Sequence, residues 1–463
     1  MPAASRGILL SIAVGLNAIV VVNACLHDPT VGYDSYQHLA YVSTLARGRL
    51  PQPADSAEFF SPPLPYLVPA AAMALGLDEW HAAKCAQLAS VLFSIGLTWA
   101  LVRTVELVWP GDEEMAIGSL AVLALFTVYF KTFALVRGEP CLAFFVVLTV
   151  LLTLRLVWIA DARPRAAVAA GLALGLALLS RQWAMLVVPA IVVFVALAAG
   201  RDRARRARLF GALALVLLTA GATAGWFYLR LPREKGGVTA FNLPPAPFSL
   251  RNQPRDFYLG LGLRELFREP IRPSFANEIL PTFYSDTWGD YWGFFTLVAR
   301  DARTGRFLHS AANEACLTAQ TAPPWCETNR PRMAAYLARV NVVALLPTVI
   351  VLAGVVLAAR RLWRFAGERD PDRDTAALAF FLLVVLGSFA GYFVFLVRYT
   401  EIPRGGPIKP TYMLQVFPFL AVMAARALAE MHRRWPRAHR VVVVLLTLVW
   451  AHDLPAMITR HVP

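Results

Sequence analysis

The sequence predicts an all-α polytopic membrane protein of about eleven transmembrane helices, with interfacial helices in the first outer loop and a folded outer loop further on. Three observations carry this. Of 463 residues, 58% are hydrophobic and only 16% charged, too apolar for a chain folded in water. The apolar residues fall in runs of about twenty, the length that crosses ~30 Å of hydrocarbon as a helix. The cations gather between those runs: Arg201, Arg203, Arg205, Arg206 and Arg208; Arg360, Arg361, Arg364 and Arg369; Arg433, Arg434, Arg437 and Arg440. Such clusters mark cytoplasmic loops. The net charge of +14 therefore orients the chain in a membrane and does not indicate nucleic acid, which would need a solvated basic face outside the spans.

The first run, Ile8–Ala24, follows Arg6 and ends in Val22-Asn23-Ala24-Cys25, a poor match to a signal-peptidase site or a lipobox. It reads as a retained span over 7–26. Further spans are expected near 82–108, 115–134, 140–159, 166–180, 182–199, 209–229, 338–360, 376–397, 411–429 and 440–457. This count puts the N-terminus and all three Arg clusters inside and the C-terminus outside. The stretch Pro62–Gly76 is apolar but short and carries Pro62, Pro63, Pro65 and Pro69, so it reads as interfacial or re-entrant. Counted as a span, it would put every later basic cluster outside. The expected organisation is a transmembrane module over 1–229 that includes the first outer loop 27–81, an outer subdomain over 230–337, and a second transmembrane module over 338–463. The setting expected is a bacterial inner (cytoplasmic) membrane, with loop 27–81 facing the periplasm.

That loop concentrates polar chemistry: Tyr33-Asp34-Ser35-Tyr36-Gln37-His38, then Asp55 and Glu58, then Ser61-Pro62-Pro63-Leu64-Pro65-Tyr66. An acid just past a span sits where a lipid head group and a soluble molecule both reach it. Asp34 is thus a candidate general base, with helix capping the competing role. Cations recur on the outer face as Lys131 and Arg137, Arg181, and Arg398, Arg404 and Lys409, against the usual charge bias. One alone reads as snorkelling; several converging on one face read as an anion site, and phosphate is the anion membranes supply. In the outer loop, Tyr284 to Gly293 mixes acids with rings, so Trp288, Asp290 and Tyr291 are candidates to bind sugar, or else form an interfacial belt. Cys25, Cys85 and Cys141 read as apolar fillers, and Cys316 with Cys326 as a disulfide in an oxidising compartment. No Cys/His spacing fits zinc.

Several of these residues resemble a known family. Asp34 with Tyr36 two residues on, Gly48-Arg49-Leu50 closing a short helix, Pro62-Pro63-Leu64-Pro65-Tyr66, Arg137-Gly138-Glu139-Pro140, and Lys409-Pro410-Thr411-Tyr412 running to Pro418 look like the GT-C superfamily of integral-membrane glycosyltransferases. The branch they resemble is that of protein O-mannosyltransferases and aminoarabinose transferases. There are two departures. Ser35 stands where the family has a second acid, and Ser61 where that branch often has a phosphate-binding Lys.

The resemblance implies an inverting glycosyltransferase that uses a polyprenyl-phosphate sugar donor. The acceptor would be a glycan, lipid or protein hydroxyl, and membrane lipids would surround the site. It implies Asp34 as base, Arg137, Glu139, Arg181, Arg404, Lys409 and Tyr412 at the lipid phosphate, and Tyr36, His38, Asp55, Glu58, Trp288, Asp290 and Tyr291 at acceptor or sugar. Metal is optional in that superfamily, and without the second acid none is expected. A transporter or flippase of lipid-linked sugars is the competing reading; it would call for an internal repeat with paired broken helices. A non-catalytic scaffold would leave Asp34 and the outer cations unexplained.

Overall fold

The computed structural model describes residues 3–159, 163–235, 237, 239–296, 298–299, 324–459 and 461–462. The expected Cys316 to Cys326 bridge falls outside the described residues. Helices α1 (Ala3–Leu26), α2 (Ser35–Ala46), α3 (Leu67–Ala74), α4 (Glu79–Val108), α5 (Glu113–Leu123), α6 (Thr127–Ala134), α7 (Glu139–Trp158), α8 (Pro164–Ser180), α9 (Val188–Arg201) and α10 (Arg206–Lys235) form the first part. Short helices α11 (Arg255–Leu259), α12 (Leu263–Leu266) and α13 (Ile279–Trp288) follow α10. The chain closes with α14 (Pro324–Val343), α15 (Leu345–Gly367), α16 (Arg373–Arg398), α17 (Phe417–Arg434) and α18 (Pro436–Met457). A two-residue parallel ladder pairs β1 (Val298–Ala299) with β2 (His461–Val462).

Among the described residues nine helices are long and apolar enough to cross a membrane, or ten with α5 and α6 counted as one bent span. The expected run 166–180 is α8, apolar but only 17 residues long. At eight residues, α3 is far too short to cross, which leaves Pro62–Gly76 off the list of spans. The expected span 115–134 is broken: α5 and α6 meet at 64°, with neither Pro nor Gly between them. Packing sets the bend. Phe126, in the break, stacks on Trp288 at 4.8 Å and meets Phe417 edge-on at 4.9 Å, and α6 is thereby turned toward α13.

Capping aspartates start three helices. Asp78, Asp112 and Asp372, all with extended backbones, accept from the amides of His81, Met115 and Thr375 and satisfy donors that a helix start leaves open. Between spans, small residues permit close approach: Cβ atoms on Gly171 and Gly175 of α8 would lie 2.6 and 2.5 Å from Thr219 and Thr223 of α10. Polar contacts add to this. The Ser94 hydroxyl of α4 donates to Asn17 Oδ1 of α1 at 2.7 Å and lies 2.8 Å from the Tyr129 hydroxyl of α6.

The three Arg clusters share one end of the bundle. There Asp374 accepts from Arg426 and Trp109 and pairs with Arg361, while Arg201 donates to the Glu368 carbonyl. At the other end, the segments around residues 34, 58, 181, 241, 401 and 409 meet around one cavity.

Candidate active site

Asp34 occupies the N-cap position of α2, yet its side chain makes no capping bond and its backbone is left-handed, φ 55° and ψ 25°. The contrast with Asp78, Asp112 and Asp372 disposes of capping as its role. A left-handed non-glycine residue costs about 1 kcal/mol, so neighbouring contacts must hold it. Arg137 donates to the Tyr33 carbonyl at 3.2 Å on one side, and Ser35 donates its hydroxyl to the Thr30 carbonyl on the other. The carboxylate thus freed from capping meets Lys409, whose Nζ donates to Asp34 Oδ2 at 3.1 Å across 375 residues of chain.

Lys409 sits among rings: Tyr33, Trp292 and Tyr412 have centroids 5.2, 5.6 and 5.8 Å from its Nζ. Its ammonium holds the Asp34 carboxyl below the usual carboxylate range. Behind this pair runs an alternating ladder. Arg137 donates to both oxygens of Glu139 at 3.1 Å, Arg181 donates to Glu139 at 3.0 Å, and the far end of Arg181 donates to Glu58 at 2.8 Å and to the Ser61 hydroxyl. Gly138 makes room for it, since a Cβ there would lie 2.6 Å from the Ser180 carbonyl and 3.0 Å from Arg181. Burial opposes the ionisation of Glu58, but His38, Arg181 and the Ser61 hydroxyl outweigh it and hold its carboxyl below the usual range. Burial lowers His38 to about 4, so its ring, bonded to the Tyr66 hydroxyl at 2.8 Å, is neutral at neutral pH.

The cavity is open to solvent on one side, and its empty space, open solvent included, is about 620 Å³. Asp34, Lys409, Arg181, Glu58 and Glu401 line one part; Phe60, Trp183, Phe241, Phe395, Tyr399 and Tyr412 line another. The rings form a continuous wall, Trp183 to Phe395 at 5.0 Å, Phe395 to Phe241 at 4.8 Å and Phe241 to Tyr399 at 4.6 Å. One part can hold an anion and a proton acceptor, the other an apolar surface. Each cation already has a carboxylate partner, so an incoming anion must displace one. Among the described residues no group of three or more His, Cys, Asp or Glu is placed to hold a metal.

In structure the chain is similar to the Archaeoglobus fulgidus oligosaccharyltransferase in its apo form, with a TM-score of 0.51 at 16% identity over 97% of this chain and 56% of that one. The chain shares the fold of that archaeal enzyme. It spans just over half the length of that archaeal enzyme. The same enzyme tethered to an acceptor peptide containing the NVT sequon matches with a TM-score of 0.50 at 12% identity over 97% of this chain and 54% of that one. ArnT from Cupriavidus metallidurans bound to undecaprenyl phosphate matches with 0.46 at 14% identity over 97% and 64%. Residues 61–226 match the family model described as dolichyl-phosphate-mannose-protein mannosyltransferase, a range that excludes Asp34 and Lys409. No curated protein matches the chain in sequence.

Within this fold, Asp34, Glu58, Arg181, Lys409 and Tyr412 line the cavity, with Arg137 and Glu139 directly behind them. Other expected site residues lie elsewhere. Arg404 and Tyr36 are exposed and outside the cavity lining, His38 is buried against Tyr66, and Asp55 is held by Arg49 at 2.6 Å in a loop staple.

Trp288, Asp290 and Tyr291 are buried and need correction as sugar contacts. Trp288 stacks on Phe126, Asp290 accepts from the Phe295 and Thr296 amides, and the Tyr291 hydroxyl donates to the Ser274 carbonyl. Burial with internal partners leaves them no face toward a ligand. Sequence reasoning missed Trp183, Phe241, Tyr399 and Glu401. Their only local signals were the Gln182-Trp183 pair after Arg181 and an acid in the loop before Lys409.

Proposed function

We propose that the chain transfers a sugar from a polyprenyl-phosphate donor to an acceptor hydroxyl at the outer face of the membrane, with inversion at the anomeric carbon. The observation carrying this is that Asp34, free of any capping duty, shares one cavity with Lys409 and Arg181. A membrane-linked phosphate is the anion that such a site, at the end of a helix bundle opposite the Arg clusters, can take from lipid. The matched family description, a lipid-phosphate-sugar transferase, supports the same reading.

In this reading the acceptor oxygen attacks the anomeric carbon, the bond from that carbon to the phosphate oxygen breaks, and Asp34 takes the hydroxyl proton. Lys409 and Arg181 stabilise the charge that grows on the departing phosphate. Before the donor arrives Lys409 neutralises Asp34; the phosphate then draws the ammonium away and leaves a stronger base beside the acceptor. The aromatic wall excludes water and supports the apolar face of sugar or isoprenoid.

The three parts of the chain divide the work. The module 1–229 supplies the base and the Arg ladder, 338–463 supplies Lys409, and Phe241, Asn242 and Leu243 come from 230–337. The setting is a bacterial inner membrane with the cavity toward the periplasm. The test is the configuration of the glycoside made by purified protein from a donor of known anomer. Inversion is expected; retention would rule out a single displacement, and lipid movement in proteoliposomes without any new bond would favour a flippase.

A further inference from the structure

Lys131 is an outer-face cation that the transfer reading leaves without a task. Its side chain is fully buried on α6, beyond the reach of any ligand in the cavity. Its three donors are spent on Asp286 Oδ1 at 2.5 Å, the Asp286 carbonyl at 3.0 Å and the Gly289 carbonyl at 3.3 Å. A second carboxylate, Asp290, faces it with Oδ1 at 3.8 Å. Two carboxylates and one ammonium in a dry interior are a weak source of stability, because desolvation offsets most of their attraction. What the cluster does hold is geometry.

One arm runs from Asp286. Its Oδ2 accepts from the Tyr33 hydroxyl at 2.9 Å, and Tyr33 is the residue before Asp34. The other arm runs from Asp290, whose Oδ2 gathers the amides of Phe295 and Thr296 and the Thr296 hydroxyl at 2.9, 2.7 and 2.9 Å, fixing a tight turn that carries Trp292. From that turn the Trp292 indole donates to the Ile408 carbonyl at 3.2 Å, immediately before Lys409. The Tyr33 and Trp292 rings meet edge to face at 5.9 Å, which closes the circuit. Each member of the Asp34 and Lys409 pair is therefore tied, one residue upstream, to the same buried lysine.

We infer that Lys131, Asp286 and Asp290 form a positioning hub that sets the register of Asp34 against Lys409 through Tyr33 and Trp292. The kinetic consequence rests on the transferase reading; the geometric one does not. The hub places two groups that come from distant parts of the chain, and a displacement of about 1 Å at such a pair can cost up to ~10² in rate.

The test uses full-length protein in lipid nanodiscs and two variants that keep an aromatic ring: Tyr33→Phe, which removes only the hydroxyl on Asp286, and Trp292→Phe, which removes the indole donor on Ile408 and leaves a smaller ring. The first readout is the rate at which an amine-acylating reagent modifies Lys409, measured by mass spectrometry with half-buried Lys84 as the internal reference. The second is kcat against KM for transfer from a polyprenyl-phosphate sugar.

Each variant is expected to melt like the parent, to acylate at Lys409 about tenfold faster with Lys84 unchanged, and to lose about tenfold in kcat at nearly constant donor KM. Unchanged Lys409 acylation in both folded variants overturns the hub. Faster acylation in an enzyme that shows no transfer even as the parent supports the hub and overturns the transferase reading instead.

Discussion

At the scale of single residues, function and structure separate most cleanly among the aspartates. Asp78, Asp112 and Asp372 cap helices, whereas Asp34 stands at the same position of α2 with a left-handed backbone and gives its carboxylate to Lys409. The sequence could place Asp34 at a helix start but could not choose between the two duties, because the choice is made by a lysine 375 residues away. Trp288, Asp290 and Tyr291 were illegible for a related reason. Rings beside acids look alike whether they meet a sugar or satisfy buried amides, and here they satisfy amides and pack.

The Asp34 and Lys409 pair predicts a pH effect. A carboxyl whose folded pKa is depressed contributes stability above its unfolded value, near ~3.9, and loses it as pH falls through the folded value. With Lys409 in place, the acid limb of kcat/KM therefore lies below the ordinary carboxylate range. In Lys409→Gln it moves up toward the ordinary carboxylate range, and donor affinity falls as well. A pH profile of kcat/KM for the two proteins measures this; coincident acid limbs would mean that Lys409 does not govern Asp34.

At the scale of elements, the apolar runs marked the spans because crossing a bilayer is a local property of about twenty residues. The 64° break between α5 and α6 was not legible. It contains no helix breaker, and its cause is the packing of Phe126 against Trp288 and Phe417, both far away in sequence. The bend also has a consequence, since it aims Lys131 at Asp286. Capping predicts an independent outcome. Asp78→Ala removes the acceptor for the His81 amide on an exposed helix start and should lower stability by about 1 kcal/mol, seen as a reduced melting temperature with turnover unchanged. A loss of turnover equal to that of a cavity variant would contradict the assignment of Asp78 to structure alone.

For the whole molecule, the charge pattern and the cavity lie at opposite ends. The three Arg clusters lie together at one end, and Asp34, Arg181 and Lys409 line the cavity at the other. Their clustering was readable from composition between spans. The meeting of Asp34 with Arg181 and Lys409 was expected from the recurring cations, but the part played by Trp183, Phe241, Tyr399 and Glu401 was not, because it follows from how the helices pack. This polarity predicts an orientation. In a bacterial host, a reporter active only outside the membrane should work when fused after Pro51, and one that fluoresces only inside should work after Arg203. The reversed pattern would place the cavity in the cytoplasm.

The most direct measurement is turnover of purified Asp34→Asn with a polyprenyl-phosphate sugar donor, alongside binding of the same donor. A base in the cavity predicts a loss of about 10²–10⁴ in kcat with donor still bound and the melting temperature retained. Near-parental turnover in that folded variant would contradict the assignment of Asp34 as the group that takes the proton.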